Sequence, residues 1–344
     1  MTLQGKGYFI WKIRDTEDGN VSAIAALAAQ AKFTHLLLKI ADGTYSYNLD
    51  LTTKADLVPP LVQALASRGI TSWGWHYLYG DDPVGEANKA IQRIRETGVS
   101  GYVLDVEVEY KEPGKAAAAV TFMDRMRQAY PNLPMALSSY RYPSYHPQVP
   151  WEEFLSRVDY NMPQVYWQLA HNPGDQLIRS VNEFKALTPY RPIIPTGAAY
   201  QSGGWAPSPA EVVEFMDTAR NLNLSAANFW EWANTRLYLP SVWDAISTYD
   251  WPTGPLPDDI SQQYITALNT RDPEQVLALY TPTAVHVTAA RTVQGPDALR
   301  SWYAYLLGQL LPGAAFHLTS FSGVGSSRHF NLSLIHISEP TRPY

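Results

Sequence analysis

Short runs of β-branched, aromatic and Leu residues recur along the first 250 residues, and each leads into a stretch with apolar positions at helical spacing. The runs are Tyr8 to Ile13, His35 to Ala41, Ile70 to Tyr77, Gly101 to Val108, Met135 to Tyr140, Tyr160 to Tyr166, Pro192 to Thr196 and Ala226 to Trp232. Between them, Val21 to Ala31 is rich in Ala, and Asp56 to Arg68 places Leu57, Leu61 and Leu65 on one face. Gly85 to Thr97 sets Ala90, Ile91 and Ile94 against a charged face. Strands joined by helix-length connections pair in parallel with right-handed crossovers. Eight such units in about 250 residues are the count and length of a closed (β/α)8 TIM barrel. A doubly wound open sheet is the other α/β arrangement of this pattern. It is disfavoured because the first strand meets no Gly-rich phosphate turn and most strands from the third onward end in polar or aromatic residues.

The pattern changes at Trp251. Residues 251–257 begin a Pro-dense stretch, PTGPLPDD, whose fixed φ angles suit a semi-rigid linker between a domain of residues 1–250 and a smaller one of residues 258–330. Asp259 to Asn269 reads as an amphipathic helix capped by Asp258 or Asp259, and two further helical stretches flank a Thr/Val-rich strand between Asp272 and Leu307. This order resembles the start of a SnoaL-like, NTF2-type α+β cone, in which helices wrap a curved sheet around a pocket. The resemblance lacks the later strands, so a partial cone with an open sheet edge and poor folding is expected; a complete one would offer a dimerisation surface. Residues 331–344 stand apart. LSLIHISEPTR, from Leu332 to Arg342, looks like the in-frame translation of a sequencing adapter, so the natural chain is expected to continue past about Phe330. The alternative is a short strand built on Leu332, Leu334, Ile335 and Ile337, followed by a Pro-bounded tail.

Composition narrows the chemistry. The 344 residues are 46% hydrophobic and 17% charged with a net charge of −6, enough apolar side chain for a full core and too little clustered Lys and Arg for a nucleic-acid or anionic-membrane surface. No run is long enough to span a membrane, and the start, MTLQGKGYFIWKI, has no apolar signal region, which leaves the compartment open. With no Cys, thiolate nucleophiles and thiolate metal sites are excluded. The His residues show no metal-ligand spacing, Ser138-Ser139 lacks a nucleophile elbow, and Gln201 to Trp205 has no phosphate-loop Lys, so neither metal nor cofactor is expected.

The sharpest local signal is YVLDVEVEYK, residues 102 to 111. Strand alternation sends Val103, Asp105, Glu107 and Glu109 to one face and Leu104, Val106 and Val108 to the other. With the acids inward, three carboxylates line the barrel mouth, where mutual repulsion and lost solvation raise at least one pKa. The bland reading makes them helix caps or buried partners of Lys39 or Lys111. A carboxylic acid kept protonated beside an ionised partner is what glycosidic cleavage requires. Aromatic residues support the same direction: ten of the eleven Trp precede residue 252, and Trp73, Trp75, Tyr77, Tyr140, Tyr166 and Trp167 fall near strand ends. Alternation leaves open whether Trp73 and Trp75 or Gly74 and His76 face inward.

Leu104-Asp105-Val106-Glu107 resembles the D-x-E strand of family 25 lysozyme-like glycoside hydrolases, in which the Glu is the acid and the Asp assists. Asp105, Glu107 and Glu109 also resemble the tail of the D-x-x-D-x-D-x-E strand of family 18 chitinase-like barrels, with Tyr102 at its first Asp and Glu107 at its last. Met162 to Trp167 is similar to the M-x-Y strand of such barrels, and Phe229-Trp230-Glu231-Trp232 to the strand that floors their sugar site. Family 25 also carries a first-strand Asp; here only Asp15 is nearby, beyond the strand end, with Glu231 or Asp42 as replacements. The resemblance implies cleavage of a β-linked, amino-sugar glycan such as peptidoglycan or chitin. In it Glu107 is the acid, Asp105 its partner and Glu109 a reserve, while Trp75, Tyr77, Gln164, Tyr166, Trp230 and Glu231 meet the sugar. The alternatives are a barrel that binds glycan without cleaving it, and a function residing in the second domain's pocket.

Overall fold

The computed structural model describes residues 3–251, 260–288, 291–324 and 327–336, with side chains described as far as residue 317. The chain divides into two compact units, Met1–Gly254 and Pro255–Tyr344.

In the first unit, β1 (Gly5–Ile10), β2 (Phe33–Asp42), β4 (Thr71–Leu78), β5 (Gly101–Val106), β6 (Met135–Tyr140), β7 (Tyr160–Val165), β8 (Thr196–Ala198) and β9 (Ala226–Trp230) pair in parallel in that order. The pairing of β9 with β1 closes the barrel, and β3 (Tyr45–Ser46) adds a short antiparallel lip to β2. Helices α1 (Val21–Gln30), α2 (Val58–Ala66), α3 (Pro83–Thr97), α4 (Lys115–Ala129), α5 (Trp151–Leu155), α6 (Pro173–Lys185), α7 (Pro209–Asn221), α8 (Trp232–Tyr238) and α9 (Pro240–Thr248) connect the strands. Their ends are written locally. Asp82 accepts the Gly85 amide at 2.8 Å ahead of Pro83, and Gly98 closes α3 in the left-handed region. Ser208 and Glu211 form a reciprocal capping box at the start of α7. The seventh barrel strand begins later than expected. Pro192 and Pro195 have no N–H to give the ladder, so β8 starts at Thr196 and Ile193 makes only an isolated bridge to Asn161.

Strand alternation separates two apolar layers. Tyr8, Leu36, Leu38, Ile40, Leu104 and Val106 face the helices, whereas Phe9, Leu37, Trp73, Trp75, Val103, Ala136 and Met162 fill the barrel interior. The inward residues of β4 are therefore Trp73, Trp75 and Tyr77; Gly74 backs onto Ile40 outside, and His76 bonds outward to Tyr102 and to the Gly43 carbonyl. Two glycines make the interior fit. A Cβ on Gly7 would lie 2.2 Å from His35 Nε2, which bonds Asn228 Oδ1 at 2.6 Å, and one on Gly101 would lie 2.2 Å from the Trp73 ring. These side chains fill the barrel interior, and polar side chains gather at its C-terminal mouth, the end at which sites of this architecture form.

The second unit packs α10 (Ile260–Thr270), α11 (Pro273–Leu277) and α12 (Pro296–Tyr305) with two antiparallel hairpins, β10 (Val285–Val287) with β11 (Thr292–Gln294) and β12 (Ala314–Val324) with β13 (Ser327–His336). Ile265, Leu268, Val276, Leu299, Tyr303, Leu307 and Phe316 form its core. The expected single strand is a hairpin, and β12 is a strand the sequence pattern did not announce. Residues 331–336 of the tail run within β13, while residues 337–344, the 252–259 linker and the expected Asp258 or Asp259 cap lie outside the described residues.

Candidate active site

Register brings the acids together. In the ladder, Tyr77 of β4 pairs with Asp105 of β5, and Asp105 with Ser138 of β6. Asp105 is the last inward residue of β5, 7% exposed, and Glu107 follows directly as the strand ends. Gln164, on β7, reaches across β6: its Nε2 donates to Asp105 Oδ1 and to Glu107 Oε1, each at 2.9 Å, and lies 3.4 Å from Ser138 Oγ. Asp105, Glu107 and Gln164 are thus one hydrogen-bonded unit. Glu109 is not on the strand, as alternation had suggested. The ladder stops at Val106, and Val108–Lys111 is a 3-10 turn that leaves Val108 exposed. Tyr77 nonetheless holds Glu109 at the mouth, its hydroxyl donating to Oε2 at 2.8 Å.

Burial and the adjacent Glu107 push Asp105 well above the usual carboxylate range, against Lys39, Ser138 and Gln164. Burial likewise raises Glu107, with Gln164 opposing it, Glu109 adding to it and Lys111 opposing it. The two carboxyls share one amide donor, and burial makes both resist ionisation. The fixed cation is Lys39, inward on β2 and 4% exposed. Its Nζ pairs with Asp42 Oδ2 at 2.5 Å and sits 4.3 Å from the Tyr47 ring and 4.7 Å from Trp75. Asp42 also accepts from the Tyr79 hydroxyl at 2.8 Å, so it serves Lys39 and Tyr79 and does not replace a first-strand acid. Asp15 lies in an exposed turn, Ile13–Asp15, beyond β1.

The predicted sugar contacts divide. Trp230, at the end of β9, is half-buried, with Phe9 at 5.6 Å, Trp75 at 5.4 Å and Trp11 at 6.3 Å around it. Trp11 is 40% exposed and was not anticipated, because it follows the expected strand pattern as one more β residue. Trp75 is 2% exposed and its Nε1 donates to the Ile10 carbonyl at 3.1 Å, so it supports Trp230 from below and has little surface for a sugar. Tyr166 lies just past β7, half-buried, edge-on to Tyr200 at 5.5 Å. Glu231 is engaged by backbone. Its two carboxylate oxygens accept the Asn234 and Ala233 amides at 2.6 and 3.2 Å, and it caps α8. Lys39 and Ser138 complete the site; a lone Lys in the apolar run LLLKIAD was the signal for the first. Among the described residues no three His, Asp or Glu side chains converge as metal ligands.

Comparison with known proteins separates the two units. Residues 261–327 match the SnoaL-like domain family. No curated protein matches the sequence. Among solved structures, a chitinase from Bacteroides thetaiotaomicron is 9% identical with a TM-score of 0.56, covering 72% of this chain and 96% of its own. A glycoside hydrolase family 18 N-acetylglucosaminidase from Paenibacillus barengoltzii is 13% identical with a TM-score of 0.53, covering 71% and 99%. A class V chitinase from Pseudomonas fluorescens Pf-5 is 12% identical with a TM-score of 0.53, covering 72% and 99%. These likenesses fall on the chitinase-like resemblance, and the lysozyme-like one, placed first on the D-x-E motif, finds no support in them. The chain therefore carries a (β/α)8 barrel with the fold of these structures, followed by a SnoaL-like domain.

Proposed function

We propose that the barrel hydrolyses a β-linked glycan of the chitin or peptidoglycan type, with Glu107 as general acid and Asp105 as its partner. The observation that carries this reading is the single Gln164 amide bridging both carboxyls at the barrel mouth. Asp105 is 7% exposed and the more reluctant to ionise, whereas Glu107, partly exposed where the strand ends, is the carboxyl a sugar can reach. Glu107 gives a proton to the glycosidic oxygen as the bond to the leaving sugar breaks, and water completes the displacement and returns a proton to the pair. Gln164 and the Lys39 charge hold the anion that remains. Trp230 offers the ring face for stacking a sugar, and Tyr77 holds Glu109 beside the pair, where Glu109 adds to the local negative field.

A barrel that binds glycan without cleaving it is the second reading. It is favoured by Tyr102, which stands at the first acid of the family 18 pattern and is spent on a 2.7 Å bond to His76 Nδ1. Release of reducing ends from peptidoglycan and chitin oligomers between about pH 4 and pH 8, beside Glu107→Gln, separates the two. Turnover lost in a folded variant supports the acid assignment. Equal rates in both proteins refute it, and binding without product supports the second reading.

A further inference from the structure

We infer that the mouth selects glycans bearing carboxylates, such as lactyl-ether or uronic acid groups, through a basic strip formed by Lys111, His146 and Arg141. This rests on the glycan reading above and narrows its substrate class. Lys111 ends the turn that carries Glu109, and its Nζ lies 4.0 Å from the Tyr140 ring centre. Tyr140 in turn stacks on His146 at 3.7 Å. Arg141 follows Tyr140, with its guanidinium carbon 5.1 Å from the Tyr142 ring. Burial first, and then the charges of Lys111 and Arg141, keep His146 below its usual pKa, so both cations act on one imidazole. Lys111 lies in the turn after β5, and Arg141 and His146 lie in the loop after β6, so the strip sits where these two strands end at the mouth.

What singles out these cations among the described residues is that they are half-buried with neither an ion pair nor a side-chain hydrogen bond. Among the described residues neither Lys111 nor Arg141 has a carboxylate within ion-pair distance, whereas Arg179, over the same Tyr142 ring at 4.0 Å, is paired with Glu183 at 2.8 Å. The acids facing the strip are Glu107 and Glu109 on the barrel side, and Glu183 is taken by Arg179. In a chain of net charge −6, two unpaired cations beside the cleft are no part of a general basic surface. A guanidinium and an ammonium in adjacent loops offer a carboxylate several donors at once. A neutral chitin-like chain leaves the same cations partly desolvated and unanswered.

The test is calorimetric binding of two thio-linked tetramers, which resist cleavage, to the full chain. One is neutral N-acetylglucosamine; the other alternates N-acetylglucosamine with lactyl-bearing N-acetylmuramic acid. The carboxylated tetramer is expected to bind about tenfold more tightly, and Lys111→Gln and Arg141→Gln each to erode that preference by about threefold to tenfold. Raising salt to about 0.3 M should weaken the carboxylated ligand more than the neutral one. Equal affinities, or a preference that neither variant moves, overturn the inference and leave the glycan reading standing. Binding of neither tetramer overturns the glycan reading itself, and the inference with it.

Discussion

Replacing Gln164 by Leu tests the acid pair directly. Leu is close to Gln in volume, so the change removes the bridge with little cavity. Two N–H bonds at 2.9 Å are lost, one from each carboxyl. A hydrogen bond to a charged acceptor is worth roughly 1.5–3 kcal/mol, and one pKa unit corresponds to about 1.36 kcal/mol. Gln164 favours the ionised form of both groups, so its loss raises their pKa values further. Losing even one such bond moves the acidic limb of the pH–rate profile upward by about one to two units. The whole bell should shift to higher pH, with a lower rate at its new optimum because the acid is less well held. Reducing-end release across pH reads this in turnover, and carbon-13 titration of the side-chain carboxyls reads it whether or not turnover occurs. If neither the profile nor the titration moves by more than about 0.3 unit, the bridge does not set the proton affinity of the pair and the reasoning fails.

The lower barrel makes two further predictions. His35 and His76 are buried and held neutral, each lowered to about 4, chiefly by burial. A folded pKa below the unfolded value gives stability that is present above about pH 6.5 and is lost as pH falls towards 4, up to about 3 kcal/mol for each group. Thermal melts should therefore fall steeply over that window and flatten in His76→Gln; equal slopes in both proteins would contradict this. Gly101→Ala puts a methyl 2.2 Å from the Trp73 ring and should destabilise by about 1–3 kcal/mol or more. An unchanged urea midpoint would show that the interior can relax around it.

The barrel was legible because eight apolar runs and their helices repeat at a length that one closed architecture uses, and Asp105 and Glu107 because a D-x-E alternation survives to the end of β5. Glu109 reached the mouth by another route. Period-two reading has no knowledge of where a neighbour stops pairing, and β6 pairs with β5 only as far as Asp105. Trp75 shows a second limit. Alternation groups it with Trp73 but does not say which face is inside, and the answer came from Ile40 filling the space behind Gly74. The capping role of Glu231 was hidden because a strand end and a helix start share it, and its oxygens go to the amides of Ala233 and Asn234. The basic strip was invisible for a different reason: Lys111, Arg141 and His146 meet only because two successive loops fold over the same rim. In the second unit, the Thr/Val signal found one strand, but a hairpin needs two and β12 is diluted by Ser, Thr and Gly.

The Gln164 bridge joins strands that are not neighbours, since β6 lies between β5 and β7. Asp105 and Glu107 are synthesised some sixty residues before the amide that joins them, and Trp230 comes later still. A nascent or half-unfolded chain therefore contains every acid and none of the arrangement. The acid pair is joined only once β7 has folded beside β6, and the Trp230 ring is brought to the mouth only when β9 returns to β1, so the mouth is assembled in the order in which the strands close.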